Sequence, residues 1–308
     1  MRFTRIGLAA GSAALLAGAM GTHAGASGSG DALAVRTWSG WDTWWRRDGA
    51  PVRWTAAAPL AGRVQWRAAQ PGVEWGELQL RGASEAWRTR VVVVRLDPAR
   101  VDFGLDPAFD RNDEWTVADA EAGAAVALDA GQFRGSLPWG WVLTGGREVL
   151  RPQYAPLAGA VTVDEAGRVR VVAPDSVESV RAAGGLREAF QSYPMLLQDG
   201  AVPEPLRVPG LGVSHDHRDA RLALGTTPDG HVVIAVTRFD ALGEALGRIP
   251  FGLTTPEMAA VMGALGCRQA VLLDGGISGQ LLVRDAEETR TWPGTRTVPL
   301  GLVVRVRR

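Results

Sequence analysis

The sequence predicts an α+β protein of mixed or antiparallel sheets with a few helices, folded as a single catalytic-type domain. Three observations predict it. Short apolar runs rich in Val, Leu and Ala recur along the chain, separated by turns containing Gly, Pro and Asp. Two of these turns, Asp164–Arg168 and Thr226–Gly230, separate apolar runs closely enough to close hairpins. Helical periodicity is confined to Val117–Ala122 and Pro256–Leu265, too little for a doubly wound α/β fold.

At the amino end, Arg2 and Arg5 precede an apolar, Gly/Ala-rich run over Ile6–Met20, with Ala24 and Ala26 as small cleavage-site residues. Residues 1–26 are therefore expected to be a secretory signal peptide, the run being too short and Gly/Ala-rich for a transmembrane helix. The mature chain has no other run long enough to span a bilayer. It is expected to be exported, periplasmic or extracellular. Residues 27–36 are rich in Gly, Ser and Ala and are expected to be a linker. Linker and Trp-rich segment together make 27–70, and 71–308 is the expected catalytic-type domain. Six of the twelve tryptophans (Trp38, Trp41, Trp44, Trp45, Trp54 and Trp66) fall in the Trp-rich segment. Sugar binding on indole faces and core building both remain open there, with Trp44-Trp45 expected to include an exposed ring before Trp54 or Trp66.

Val91–Val94 reads as a buried strand stopped by Asp97-Pro98, and Ala124–Leu128 as another that runs into Asp129. Val161–Val163 and Val169–Val172 form the first hairpin. Met195–Leu197 leads to Asp199-Gly200, and Leu222–Leu224 meets His231–Val236 in the second hairpin. Thr254-Thr255-Pro256-Glu257 opens a helix with Met258, Val261, Met262 and Leu265 on one apolar face and Gly266 as its stop. Ala270–Leu273 then forms a strand that ends on Asp274-Gly275-Gly276 and Ser278. Lys+Arg and Asp+Glu both total 33, so no basic face is implied and nucleic acid is not an expected partner. The single cysteine, Cys267, excludes an internal disulfide and a multi-cysteine metal site; it suits a buried structural place at the helix–strand turn.

Two glycines after a strand-end Asp let backbone N–H groups and a ligand approach closely. The competing explanation is a structural turn whose Asp satisfies its own loop amides. His215 and His217 flank Asp216; on a strand, both rings would face one side. Without a third ligand they do not define a metal site, and His215 is expected to be an exposed loop residue. No G-x-S-x-G elbow and no paired Asp-Thr/Ser-Gly is present, which weighs against Ser-His-Asp and aspartic-protease chemistry.

Six segments in order resemble the phosphodiester glycosidase family, across roughly residues 71–306: Val91–Pro98 (VVVVRLDP), Asp129–Phe133 (DAGQF), Gln191–Leu197 (QSYPMLL), His217–Gly225 (HRDARLALG), Leu272–Ser278 (LLDGGIS) and Val298–Val304 (VPLGLVV). The chain departs from the family pattern in four places. Asp129 replaces an Asn, Ile277 a Gly, Gly279 a Ser and Tyr193 a small Gly. The resemblance implies hydrolysis of a glycosidic sugar-1-phosphodiester or related envelope glycan linkage, with a carbohydrate or sugar-phosphate substrate. Asp274 would be base or nucleophile and Asp129 would orient sugar or water. Arg221 is the candidate phosphate clamp, because a guanidinium holds phosphate oxygens in a fork. His217, Gly131, Gly275, Gly276 and Ser278 are the other candidate substrate contacts. Two adjacent carboxylates also make a divalent cation such as Ca²⁺ a candidate ligand, with no ligand set assigned. The alternative function is a non-catalytic carbohydrate-binding protein that keeps the fold.

Overall fold

The computed structural model describes residues 32–55, 58–82, 88–240 and 249–307. The expected signal peptide and the first residues of the expected linker lie outside them. Residues 32–36, expected in the linker, belong instead to a strand, Ala32–Thr37, whose first four residues are buried. Leu33 and Val35 supply the apolar side chains that a linker lacks, and they enter the core beside Leu78 and Leu80.

Every strand pairing is antiparallel among the described residues. A nine-stranded sheet runs Met195–Leu197, Gln269–Leu272, Leu222–Thr226, Val232–Phe239, Thr89–Leu96, Val73–Gly82, Ala32–Thr37, Gly40–Arg46, with Arg67–Gln70 beside Val73–Gly82. A five-stranded sheet holds Gly159–Asp164 and Leu186–Ser192 at its centre. A second five-stranded sheet holds Ala124–Asp129 between Leu281–Arg284 and Gly301–Val306.

The continuous apolar runs have a direct cause. In Thr89–Leu96, Val92, Val94 and Leu96 face the core shared by the three sheets, while Val91 and Val93 face a second core on the opposite side. Leu222/Leu224 against Ala223, and Val232/Ile234/Val236 against Val233/Ala235, repeat this division. A strand covered on both faces cannot alternate polar and apolar, and each buried Val contributes about 1.5–3 kcal/mol.

The second core is built around the helix Thr255–Ala264. Its start is as expected: Thr254 accepts from the Glu257 N–H at 3.3 Å while Glu257 accepts from the Thr254 N–H at 2.9 Å. Its stop is Gly266 at φ +95°. All ten residues are buried, so the expected single apolar face is corrected to a helix enclosed on every side. The Trp-rich segment does part of the enclosing. Trp54 lies so close to Gly263 that a Cβ there would meet its ring at 2.3 Å, and the Leu60 N–H donates to Ala264. Trp45 and Trp54 are buried and Trp44 and Trp66 half-buried; the ring fully in solvent is Trp38, at the tip of the first hairpin. Over 117–122 only a 3-10 turn forms, Val117–Asp119, closed by a Thr116–Asp119 capping box. Helix Val177–Ala183 carries too few apolar residues to signal itself. Cys267 is buried at the turn after the long helix. Among the described residues no helix is long and apolar enough to cross a membrane.

Candidate active site

The three sheets meet where the loop Asp274–Gln280 crosses between two of them. Antiparallel pairing of Gln269–Leu272 with Leu222–Thr226 continues past the strand ends, with Leu273 N–H donating to Leu222 and Gly276 N–H to Ala220. Asp274 to Gly276 therefore runs alongside Asp219 to Arg221. Gly275 sits so tightly on this neighbour that a Cβ would lie 2.4 Å from the Ala220 carbonyl. At its far end the loop enters Leu281–Arg284, the partner of Ala124–Asp129. Two contacts tie the two strand ends together. The Gln280 N–H donates to Asp129 Oδ1 at 2.8 Å, and the Asp274 N–H donates to the Gly131 carbonyl at 3.0 Å. The third sheet closes the junction from Leu186–Ser192: Ser192 Oγ donates to Leu272 at 2.6 Å. Gly131, at φ +70°, leaves only 2.8 Å between its Cβ direction and the Gln191 carbonyl.

Asp274 and Asp129 are thus brought together, in different environments. Asp129 is 1% exposed, and its Oδ2 has no hydrogen-bond partner among the described residues. Burial holds it well above the usual carboxylate range; the Asp274 charge adds to this, against the opposing Gln280 N–H and Arg238. Asp274 is half-buried, and burial raises it too. A Ser278 hydrogen bond, the Arg296 charge and the Gly275 N–H oppose that rise, and the Asp219 charge reinforces it. Of the pair, only Asp274 has surface to offer a substrate. Asp129, expected to orient sugar or water directly, is sealed too deeply to touch either.

Arg221 is positioned otherwise than expected. Its Nε donates to Leu253 at 2.9 Å and an Nη to His217 at 2.7 Å, both carbonyls, which occupies the Nε–Nη edge of the fork that would have held phosphate. The cation that acts on Asp274 is Arg296, exposed, with its guanidinium 4.6 Å from the Phe133 ring centre. His217 is exposed, and its Nε2 lies 3.6 Å from Asp219. His215 is buried rather than exposed, its Nε2 2.8 Å from the Pro205 carbonyl, and neither His lies on a strand. Ser278 is buried against Asp274. Gly276, at φ +57°, lies under the Asp219 carboxylate, whose oxygens stand 3.1 and 3.3 Å from its Cβ direction.

Sequence reasoning missed three residues. Asp219 is a third carboxylate at the site, and its signal was a charge three residues before the apolar strand Leu222–Thr226. Arg238 is 7% exposed, and one Nη donates to the Gly279 and Trp292 carbonyls at 2.7 and 2.9 Å. Burial lowers its pKa to about 10, against the pull of Asp129. Its signal was a charge inside the buried run Val232–Phe239. Arg296 had no signal beyond its family-like neighbours. Among the described residues no three His, Cys, Asp or Glu side chains are grouped so as to hold a metal ion.

This arrangement brings Asp129, Asp219 and Asp274 together at a junction of antiparallel sheets. The family model described as Phosphodiester glycosidase matches residues 117–305, and the chain belongs to that family. Its fold is similar to the catalytic domain of zebrafish N-acetylglucosamine-1-phosphodiester alpha-N-acetylglucosaminidase, auto-inhibited by its pro-peptide. The TM-score is 0.55 at 14% identity, covering 85% of this chain and 92% of that one. It is also similar to a hypothetical protein from Synechocystis, with TM-score 0.51 at 16% identity over 90% of this chain and 68% of that one. Among curated proteins none matches the sequence.

Proposed function

We propose that the mature chain is an exported hydrolase that cleaves the bond between the anomeric carbon and the phosphate oxygen of a sugar-1-phosphodiester. The observation that carries this is the half-buried Asp274, held at a three-sheet junction beside a sealed second carboxyl. The family supports glycosidase chemistry, and the Arg2/Arg5–Ile6–Met20 pattern supports export.

In the reaction, the C1–O bond breaks and its electron pair leaves with the phosphate monoester. Water supplies the new oxygen on C1, and its proton passes to Asp274 or, if Asp274 first adds to C1, is released when the glycosyl–Asp274 ester is hydrolysed. A phosphate monoester is a good leaving group and needs little acid assistance, so one acting carboxylate suffices. The buried neighbour serves a different end. Two carboxyls this close do not both ionise readily, and the one without solvent keeps the proton. That leaves Asp274 as the ionised member. Ser278 orients it, and Arg296 is the cation available to the departing phosphate. Arg238 pins the Gly279 carbonyl and so fixes the loop that carries Asp274 and Ser278.

The carbohydrate-binding alternative draws on two observations. Arg221 is committed to carbonyls, and the gap bounded by Gly276, Ile277 and Gly279 is only about 10 Å³. Hydrolysis of a panel of p-nitrophenyl and nucleotide-linked N-acetylglucosamine and related sugars separates the two. Turnover by the mature chain that falls ~10³-fold in Asp274→Asn, with the fold retained, supports the hydrolase. No turnover by either protein, with glycan bound equally by both, leaves the binding protein.

A further inference from the structure

Beside the Asp274 site lies a cleft of about 450 Å³, between the turn that follows Gly131 and the segment Leu150–Gln153. It shares structure with the site. Gln132, next to Gly131, accepts the Trp139 N–H at 2.7 Å. Phe133 of the same turn carries Arg296 on its face. Both walls hang on one buried side chain, Gln191. Its Oε1 accepts the N–H groups of Trp141 and Gln153, each at 3.0 Å, and its Nε2 donates to the Gln153 carbonyl at 2.7 Å. Gly140, at φ +84°, closes so tightly on Gln191 that a Cβ would meet its Oε1 at 2.3 Å. The cleft is therefore a built feature, held by the same strand end that floors the site.

Its lining has one sign of charge. Arg134 and Arg151 face it from opposite walls, and no Asp or Glu lines it. Arg134 has no ion-pair partner among the described residues. Arg151 reaches only Glu148, at 3.9 Å, and that carboxylate is already held by Arg181, whose Nη2 lies 2.8 Å from it. Between the arginines stand the half-buried Trp139 and the exposed Leu137. A flat indole between the unpaired Arg134 and Arg151, whose one carboxylate is shared with Arg181, matches a ring with anionic groups on either side. By contrast, the larger surface cleft at His231 pairs its Arg95 with Glu74 and adds Asp97, leaving no net charge complement for an anion.

We propose that this cleft is the leaving-group subsite, and that it takes an aglycone bearing further phosphate groups beyond the scissile one. The substrate is then an internal or terminal link of a phosphodiester-joined glycan rather than an isolated sugar phosphate. The assignment rests on hydrolysis at Asp274.

The test uses the full mature chain with three probes: a trimer of hexose units joined by 1-phosphodiesters, the single-unit methyl phosphodiester, and a neutral trisaccharide. Binding is measured with Asp274→Asn and turnover with the unsubstituted protein. The trimer is expected to bind ~10-fold or more tightly than the single unit, weakening as salt rises. Arg134→Gln with Arg151→Gln is expected to erase that ratio. Both residues are exposed, and a thermal melt checks that the pair still folds. A trimer preference that survives the double substitution, or a neutral trisaccharide bound as tightly as the trimer, overturns the subsite. Cleavage of the single unit with no preference for the trimer also overturns it, leaving hydrolysis intact. Preference for the trimer with no cleavage of any probe overturns hydrolysis instead, and leaves an anionic-glycan site.

Discussion

Two clusters of charge adjoin at consecutive residues, Arg218 in one and Asp219 in the other. At the amino end of helix Thr255–Ala264, the Arg218 guanidinium makes a two-bond fork with Glu257 at 2.7 and 2.9 Å, and Glu257 also accepts the Thr254 N–H. Glu257 is wholly buried, yet both its oxygens are satisfied. At the Asp274 end the pairing is the reverse. The buried cation, Arg238, is bonded to carbonyls, while burial raises the carboxyls of Asp129 and Asp274, the Asp274 charge acts on Asp129 and the Asp219 charge acts on Asp274. Folding stability favours the first arrangement. A protein that keeps the second is holding carboxyls in a state that stability alone disfavours, and such places are where function is expected.

The comparison breaks if both clusters respond alike to loss of a carboxylate. Glu257→Ala leaves the half-buried Arg218 without its fork and removes the helix cap, and is expected to cost about 3 kcal/mol in denaturant unfolding. Asp129→Asn is expected to cost nothing at neutral pH and to raise stability, because it removes a carboxyl that burial disfavours in its charged form. The sign follows from linkage. The folded-state pKa of Asp129 lies above its unfolded value, so its contribution is fully present below the unfolded pKa and is lost as pH rises through the folded one. Unfolding free energy of Asp129→Asn should therefore overtake the parent as pH is raised through this window. A loss comparable to that of Glu257→Ala would show Asp129 to be an ordinary structural carboxylate.

The two clusters also differed in how far the sequence announced them. Thr254, Pro256, Glu257 and Gly266 spell a helix start and stop in local chemistry, and the structure has both. The strands at Val91–Val94, Ala124–Leu128, Leu222–Leu224 and Ala270–Leu273 were legible because burial on both faces leaves nothing but apolar residues. The closeness of Asp274 to Asp129 rested on family-like segments, since the two residues stand on different sheets and no local pattern joins them. What escaped was geometric. Arg221 looked like a clamp because an arginine on a strand end can reach a phosphate; that its fork turns to the Leu253 and His217 carbonyls depends on a loop folded beside it. His215 looked exposed in a polar run, but Pro205 and Arg47 enclose it from distant parts of the chain. Ala32–Val35 looked like a linker because small residues dominate before it, whereas pairing with Val73–Gly82 makes it an interior strand.

A smaller effect sharpens the account of the acting carboxylate. Asp219 and Ser278 push the Asp274 pKa in opposite directions: the Asp219 charge raises it and the Ser278 hydrogen bond lowers it. If Asp274 acts ionised, the acid limb of kcat/KM reports its pKa in the free enzyme. Asp219→Asn is then expected to move that limb to lower pH, keeping activity in more acidic solution. Ser278→Ala is expected to move it to higher pH and to weaken the ionised form by about 1 kcal/mol, the worth of one hydrogen bond. Neither substitution should alter the alkaline side in the same sense, so a general loss of rate at every pH would be a structural effect and distinguishable from these shifts. The paired pH profiles decide the point. Opposite displacements identify Asp274 as the group that must lose its proton, whereas two limbs displaced together, or not at all, assign the titration to another residue.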